Sequence, residues 1–226
     1  MRPASHALRP DADAAHRSSA LARALVNNRK WAADIKATDP TFLPTIAKGQ
    51  SPSILWLGCS DSRTPETTIL GFRPGDVFSH RNIANIINPT DISLLSVVEY
   101  AVAQLTVTHI VVCGHTSCGG VAATLGNGKL GVIDVWLQPM RMLRERHAAE
   151  LAKLEGAAKT TAMSKINVQA GVEVLRRIPT VLHAIRDRGL KVHGLIYDLD
   201  TGLLEEVDCG EPIEMGAARE TAFEYH

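Results

Sequence analysis

Short apolar runs alternate along the chain with longer stretches whose apolar residues recur at helical spacing. The runs at residues 53–59 and 107–114 are typical of strands buried on both faces. Between them, Leu94, Leu95 and Val98 recur at the spacing of one helix face. The pattern as a whole predicts strands at 53–59, 76–80, 107–114, 191–198 and 203–207, and helices at 18–37, 90–103, 117–126, 135–156 and 160–188.

This order of elements predicts an α/β fold, in which helices flank a mostly parallel central sheet. The turn at residues 200–202 joins the last two strands into a hairpin, so the final strand is expected to be antiparallel. Pro179 should interrupt the long helix at 160–188. No internal repeat, low-complexity segment or linker is visible. We therefore predict a single domain over residues 1–226, with residues 1–17 as a flexible arm.

Composition and charge argue against several functional classes. Of the 226 residues, 45% are hydrophobic and 21% are charged, which is the balance of a globular protein. The 24 basic and 24 acidic residues cancel, so neither a nucleic acid nor a membrane is an expected partner. No apolar stretch is long enough for a membrane span or a secretory signal. We expect a cytoplasmic protein, because the scattered N-terminal arginines are a weaker indication of mitochondrial targeting.

Two short motifs contain most of the candidate chemistry. Residues 59–63 read Cys-Ser-Asp-Ser-Arg, and residues 115–120 read His-Thr-Ser-Cys-Gly-Gly. Each motif begins where a predicted strand ends, and ligands of open α/β sheets collect beyond the carboxyl ends of strands. If these two strands are neighbours, Cys59 and His115 meet there. Cys118 would then join them from the first turn of the next helix.

Two thiolates and one imidazole form a ligand set that suits zinc. Three protein ligands leave the fourth position open, as in catalytic zinc sites, whereas structural sites supply four. Cysteines at strand ends are often simply buried, and we interpret Cys113 and Cys209 in that way. Three candidate ligands at two strand ends are harder to explain by packing. The residues therefore predict one zinc ion per chain, bound by Cys59, His115 and Cys118.

The two motifs and the sequence around them resemble the β-class carbonic anhydrases of bacteria, fungi and plants, from about Gln50 to Asp208. The resemblance implies a catalytic core at about 50–208 and reversible hydration of carbon dioxide to bicarbonate and a proton. It also implies a homodimer or a dimer of dimers, with the substrate cleft at the subunit interface. The N-terminal helix would then pack across the partner subunit.

The resemblance further implies that Asp61 and Arg63 form a catalytic pair beside the metal. Zinc lowers the pKa of its bound water, and the resulting hydroxide attacks carbon dioxide. The Asp61 carboxylate would accept the hydroxide's hydrogen, and Arg63, two residues on, can hold that carboxylate with two hydrogen bonds. A surface ion pair is the simpler interpretation of these two residues. Their position beside a metal ligand favours the catalytic role.

Other residues match the substrate cleft of this family. Gln50 and the Gly119 backbone N–H would donate hydrogen bonds to substrate oxygens. Phe78, Ile83 and Tyr100 would form an apolar wall that favours carbon dioxide and limits water. The role of these three rests on the resemblance, because their types alone would assign them to the core.

A second, non-catalytic bicarbonate pocket is a further expectation. Trp56 lies three residues before Cys59, so in a regular strand it faces away from the metal. Some β-carbonic anhydrases bind inhibitory bicarbonate with a Trp, an Arg and a Tyr, which Trp56, Arg81 and Tyr197 match. These side chains offer donors suited to a small oxyanion. A Trp and a Tyr on strands are also common core residues.

Three alternatives to carbon dioxide hydration stay open. A relative with the same zinc site could act on carbonyl sulfide or carbon disulfide. A non-catalytic zinc-binding module would be expected to lack Asp61, Arg63 or Gln50, and all three are present. A redox protein using Cys113 and Cys118 is disfavoured, because no Cys-x-x-Cys occurs.

Overall fold

The computed structural model describes residues 10–223. The strands are β1 (Ile54–Cys59), β2 (Val77–Asn82), β3 (His109–His115), β4 (Lys191–Tyr197) and β5 (Leu204–Val207). The helices are α1 (Pro10–Thr38), α2 (Phe42–Ile46), α3 (Glu66–Ile69), α4 (Ile92–Glu99), α5 (Gly119–Leu125), α6 (Val132–Trp136), α7 (Gln138–Arg146), α8 (Ala148–Leu151), α9 (Gly156–Leu175), α10 (Pro179–Arg188) and α11 (Ile213–Phe223). A 3-10 turn (Ile83–Asn85) follows β2, and a π-helical turn (Tyr100–Gln104) continues α4.

The five strands form one sheet in the order β2-β1-β3-β4-β5. The pairs β1–β2, β1–β3 and β3–β4 are parallel, and β4–β5 is antiparallel, as the predicted hairpin requires. The predicted α/β fold, with its final antiparallel strand, is confirmed. Because β2 lies on one side of β1 and β3 on the other, the strand order reverses between β1 and β3.

The two faces of the sheet bury different clusters of side chains, because successive residues of a strand point to opposite sides. On one face, Leu55 and Leu57 of β1 pack in a large core with Val172 of α9. On the other face, Trp56 of β1 packs with Val111 of β3 in a smaller cluster. The apolar runs predicted as strands are therefore buried on both faces, which explains why they lack polar alternation.

A capping side chain and a proline set two of the helix boundaries. The Asp91 side chain accepts hydrogen bonds from the Ser93 and Leu94 backbone N–H groups, so α4 begins where the sequence predicted. Within the helix predicted at 160–188, α9 stops at Leu175 and α10 begins at Pro179. The predicted interruption is confirmed.

The region predicted as one helix at 135–156 is instead three short helices, α6, α7 and α8. Pro139 lies in the first turn of α7 and has no N–H to donate to a carbonyl of the preceding helix α6. Helix α11 was not predicted. None of the helices in the described part of the chain is long and apolar enough to cross a membrane.

The chain divides between Gly49 and Gln50 into two compact units, where we predicted a single domain. In the first unit, the described residues 10–49 contain α1 and α2. Residues 10–17, which we expected in a flexible arm, belong to α1, and residues 1–9 lie outside the described chain. The alanine-rich sequence of α1 favours helix.

Candidate active site

The carboxyl ends of β1 and β3 lie side by side. Gly58 of β1 pairs with Cys113 of β3, so Cys59 and His115 emerge at the same edge of the sheet. This edge is the point where the strand order reverses, at which open α/β sheets bind ligands. Cys59, His115 and Cys118 are all buried, and their ligand atoms lie within 4.8 Å of one another.

Cys118 reaches this cluster from a loop, and the expectation that it lies within a helix is wrong. Its backbone is extended (φ −71°, ψ 123°), and α5 begins only at Gly119. Ser117 has a φ of 54°, in the left-handed region that non-glycine residues rarely occupy. Its carbonyl accepts a hydrogen bond from Arg63 Nη2 at 3.3 Å, which supports the turn. The spacing of three residues between His115 and Cys118 is thus compatible with a tight turn as well as with a helix.

The His115 ring is oriented with one nitrogen toward the two sulfur atoms. Nδ1 lies 2.8 Å from the Thr116 carbonyl oxygen and donates to it, which leaves Nε2 with a lone pair. Thr116 is itself fixed, because its N–H donates to Tyr197 and its hydroxyl accepts from the Leu199 N–H. Nε2 is buried and has no hydrogen-bond partner. A buried nitrogen of this kind needs a ligand to be satisfied.

The two thiols of the site contact each other. Their Sγ atoms are 4.0 Å apart. The pKa of Cys59 lies well below that of an ordinary thiol, because Cys118 donates to its thiolate, whereas the pKa of Cys118 is raised by that thiolate and by burial. Burial alone would lower the pKa of His115, but the nearby Cys59 thiolate and the hydrogen bond to the Thr116 carbonyl raise it. The Cys59 thiolate thus lies at the centre of the cluster, in contact with both of its neighbours.

The three side chains could hold a metal ion. They are the only group of this kind among residues 10–223. Soft thiolates with one imidazole suit zinc, and the unpartnered Nε2 supplies the third donor. Cys113 and Cys209 lie outside the group. Burial raises the pKa of Cys113 to about 12, so this thiol is a poor metal ligand.

Asp61 and Arg63 form a forked ion pair at the edge of the ligand cluster. Arg63 Nε and Nη2 donate to the two carboxylate oxygens at 2.9 and 2.7 Å, and the Arg63 N–H also donates at 2.9 Å. These bonds hold the pKa of Asp61 well below its usual range, so its carboxylate is ionised. Asp61 Oδ2 lies 3.8 Å from His115 Nε2. An anionic acceptor is thus placed beside the predicted ligand atoms.

A strained loop of residues 82–86 packs against the other side of the cluster. Ala84 and Asn85 have φ values of 61° and 45°, which are unfavourable for Ala in particular. A side chain on Gly120 would meet Ala84 Cβ at 2.8 Å and Ile83 Cγ2 at 3.2 Å. The loop therefore lies directly against the turn that contains Cys118.

Three side chains that sequence reasoning missed hold this loop. Asn167 Nδ2 of α9 donates to the buried Ala84 carbonyl at 2.8 Å, and Trp136 Nε1 donates to the Ile83 carbonyl at 2.8 Å. The Asn82 side chain bonds both the N–H and the carbonyl of Ile86 at 2.9 Å. A polar Asn167 among the apolar positions of α9 was the available signal for this contact.

The structure separates the residues predicted to line the substrate cleft. Ile83, at 41% exposure, and Gly119, the first residue of α5, lie next to the ligand turn. Phe78 and Tyr100 contact each other, with ring centres 5.8 Å apart. Phe78 pairs with Leu55, four residues before Cys59, or about 13 Å along the strand. Within one chain these two rings are therefore remote from the ligand cluster.

Gln50 is exposed and lies four residues before β1, at the start of the second compact unit.

The expected bicarbonate pocket has its tryptophan on the predicted side. Trp56 packs with Tyr197 in the cluster on the sheet face opposite the core around Leu57. Arg81, however, is engaged within the chain. Its Nε donates to the Cys59 carbonyl at 2.8 Å and its Nη2 to the Asp61 carbonyl at 2.5 Å. An oxyanion would have to compete with these bonds, and the pocket stays a prediction.

Comparisons with known proteins show which family the chain resembles. A family model described as carbonic anhydrase matches residues 54–204. A carbonic anhydrase of Emericella nidulans is 40% identical over 188 residues, covering 82% of each chain. The crystal structure of the β-carbonic anhydrase CafA of Aspergillus fumigatus has a TM-score of 0.90 and 52% identity, over 91% of this chain and 99% of that one. A tetrameric β-carbonic anhydrase of Sordaria macrospora has a TM-score of 0.84 and 49% identity, over 86% and 100%.

Replacing Asn167 by alanine tests the support of the strained loop. Asn167→Ala leaves the Ala84 carbonyl buried without a donor, so we expect the free energy of unfolding to fall by about 1–3 kcal/mol. Gln169→Ala is the matched control, because Gln169 on the same helix donates to the exposed Asp208 carbonyl, which water can satisfy. Urea denaturation measures both. Equal losses in the two variants would contradict a special role for Asn167.

Proposed function

This chain belongs to the β class of carbonic anhydrases, and from that premise we propose that it is a zinc enzyme whose ion is held by Cys59, His115 and Cys118. The general reaction of the family is the reversible hydration of carbon dioxide. One observation carries the proposal: the buried, unpartnered His115 Nε2 faces two thiols at the point where the strand order reverses.

The donor set supports zinc over other ions. Two thiolates and an imidazole match the soft, nitrogen- and sulfur-based coordination of zinc, and a set of three leaves room for a water or substrate. When bound, zinc supplies Lewis acidity, which makes water nucleophilic near neutral pH. The Thr116 carbonyl holds the His115 tautomer that ligation requires.

Asp61 acts in this proposal as an oriented hydrogen-bond acceptor. Its ionised carboxylate, 3.8 Å from His115 Nε2, accepts a hydrogen from a water molecule at the site and directs the oxygen lone pair toward carbon dioxide. Arg63 holds both carboxylate oxygens, which prevents the side chain from rotating away. A module without catalysis would have no use for an anionic acceptor so close to the ligand atoms.

The substrate cleft is proposed to form between two copies of the chain. Ile83 and the Gly119 N–H lie beside the ligands within one chain, whereas Phe78 and Tyr100 are remote from them. Tyr100 is 48% exposed, although an aromatic side chain of this size is normally covered. A second copy would bring its own Phe78 and Tyr100, together with Gln50, to the ligand cluster.

A homodimer or a dimer of dimers would supply the second copy of the chain that the proposed cleft needs. In α1, the apolar side chains of Leu21, Leu25 and Val26 are more than half exposed, as expected for a helix that packs on a partner subunit. The Sordaria macrospora relative is tetrameric. The cytoplasmic location stays a prediction.

The first test of the proposed function removes each ligand in turn. Cys59→Ser, His115→Ala and Cys118→Ser should each lose most bound zinc, and activity should fall by more than about 100-fold, since even outer partners of metal ligands contribute 10–100-fold. Cys113→Ala is the control, because this buried thiol bonds the Gly114 carbonyl and lies outside the cluster. Atomic emission and stopped-flow carbon dioxide hydration provide the measurements. Full zinc occupancy in all three ligand variants would refute the assignment.

The second test distinguishes the role of the Asp61 carboxylate from that of the bound metal. In Asp61→Asn the acceptor loses its charge, and we expect kcat/KM for carbon dioxide to fall by about 10²–10⁴-fold while zinc is retained. Asp187→Asn is the matched control, because Asp187 also bonds a neighbouring arginine, Arg186, but at the exposed end of α10. If Asp61→Asn keeps parental activity, Asp61 is only a structural partner of Arg63.

The third test asks whether the cleft is shared. Phe78→Ala/Tyr100→Ala and His115→Ala should each be nearly inactive alone. Co-expressed, they should recover about a quarter of parental activity, because half of randomly formed dimers are mixed and each mixed dimer has one intact site. His115→Ala with Cys59→Ser is the control, since no mixture of these two restores a ligand set. Absence of recovery in the first mixture would place the whole cleft within one chain.

A further inference from the structure

Two histidines face each other at the opposite end of the sheet from the predicted zinc ligands. His109 is the first residue of β3, and His193 lies on the neighbouring strand β4. His109 Nδ1 and His193 Nε2 are 3.0 Å apart, and the ring centres are 5.2 Å apart. Both side chains are half-buried. Two ring nitrogens are thus held together by the parallel pairing of two central strands.

His193 is suited to remain uncharged near neutral pH. Burial and the neighbouring His109 lower the pKa of His193. Neutral imidazoles can share one hydrogen bond, and they are also the form that binds metals. Moving the bridging proton to the outer nitrogen of its own ring gives both facing nitrogens a lone pair, with no change in net charge.

We propose that His109 and His193 form a second transition-metal site, separate from the catalytic centre, that favours nickel(II) or copper(II) over zinc. At metal–nitrogen distances of about 2.0–2.1 Å, two nitrogens 3.0 Å apart subtend about 90–100° at a shared ion. Tetragonal and octahedral ions adopt such angles, whereas tetrahedral zinc needs about 109° and therefore a wider pair. The two imidazoles would occupy two coordination positions of the metal ion, and water molecules would occupy the remaining ones.

The charges around the pair modulate this site in opposite directions. Glu206 of β5 lies on the same sheet face, because it pairs with Leu195, two residues after His193. Its negative charge acts favourably on a cation beside His193. Lys191, which pairs with His109 across β3 and β4, opposes it. The two effects partly cancel, so we expect a moderate metal affinity that changes when either Glu206 or Lys191 is replaced.

The pair is remote from the catalytic centre. His115 lies six residues after His109 on the same strand, or about 20 Å away. Occupation of the pair should therefore leave carbon dioxide hydration unchanged, and its test does not depend on the proposed reaction.

Nickel(II) titration of the zinc-loaded full chain tests the site. Isothermal calorimetry near pH 7.5 should show one equivalent of nickel bound while zinc content, measured afterwards, stays constant. His109→Gln and His193→Gln should each weaken nickel binding by more than about 10-fold, because one nitrogen of the pair is lost. His183→Gln is the matched control, since this half-buried histidine lies on α10 outside the pair.

A second measurement on the parent protein keeps the test independent of the folding of the variants. Protonated imidazole cannot bind metal, and the pKa of His193 lies below the ordinary imidazole value, so nickel affinity should be lost as the pH is lowered below the ordinary imidazole range near 6.5. The proposal is overturned if the parent binds no nickel beyond its zinc, or if nickel enters only by displacing zinc. It is also overturned if both glutamine variants bind nickel as the parent does.

Discussion

The parallel pairing of β1 with β3 is the interaction on which the rest of the site depends. It places Cys59 and His115 at one edge of the sheet. At this edge the two parallel strands end side by side and the chain continues in opposite directions along the sheet, to β2 and to β4. Gly114 allows this arrangement, because a Cβ there would lie 2.9 Å from Ile196 and 3.1 Å from Val168. Close packing of β4 and α9 on β3 therefore fixes the ligand edge.

Around that edge, polar groups hold conformations that the chain would not adopt by itself. Ser117 and Ala84 have left-handed backbone angles, and each lies beside a ligand or the turn that contains one. Hydrogen bonds from Arg63 and Asn167 to carbonyls of these segments offset part of the conformational cost. Because the surroundings are buried, an unmade bond there would be costly, and electrostatic interactions among thiols, imidazole and carboxylate are stronger than in water.

The same sheet presents two different kinds of nitrogen site at its two ends. At the carboxyl end of β3, His115 is satisfied by a backbone carbonyl on one nitrogen and directs the other toward two thiols. At the amino end, His109 is satisfied by another imidazole. If each end binds a metal as proposed, the thiolates favour a tetrahedral ion with soft ligands, whereas two imidazole nitrogens 3.0 Å apart favour an ion with right-angled coordination.

The sequence by itself determined the strands, their parallel or antiparallel directions, and the three residues that cluster at the sheet edge. Buried strands are continuous apolar runs, and the two motifs directly follow two of them, so local pattern and chemistry agreed on Cys59, His115 and Cys118. The tertiary structure alone decided what depends on contacts between distant segments. It placed Cys118 in a turn supported by Arg63 and set Asn167 against Ala84. It also committed Arg81 to carbonyls twenty or more residues away and separated Phe78 from the ligand edge. No spacing in the chain encodes these contacts, because they follow from strand register and helix packing.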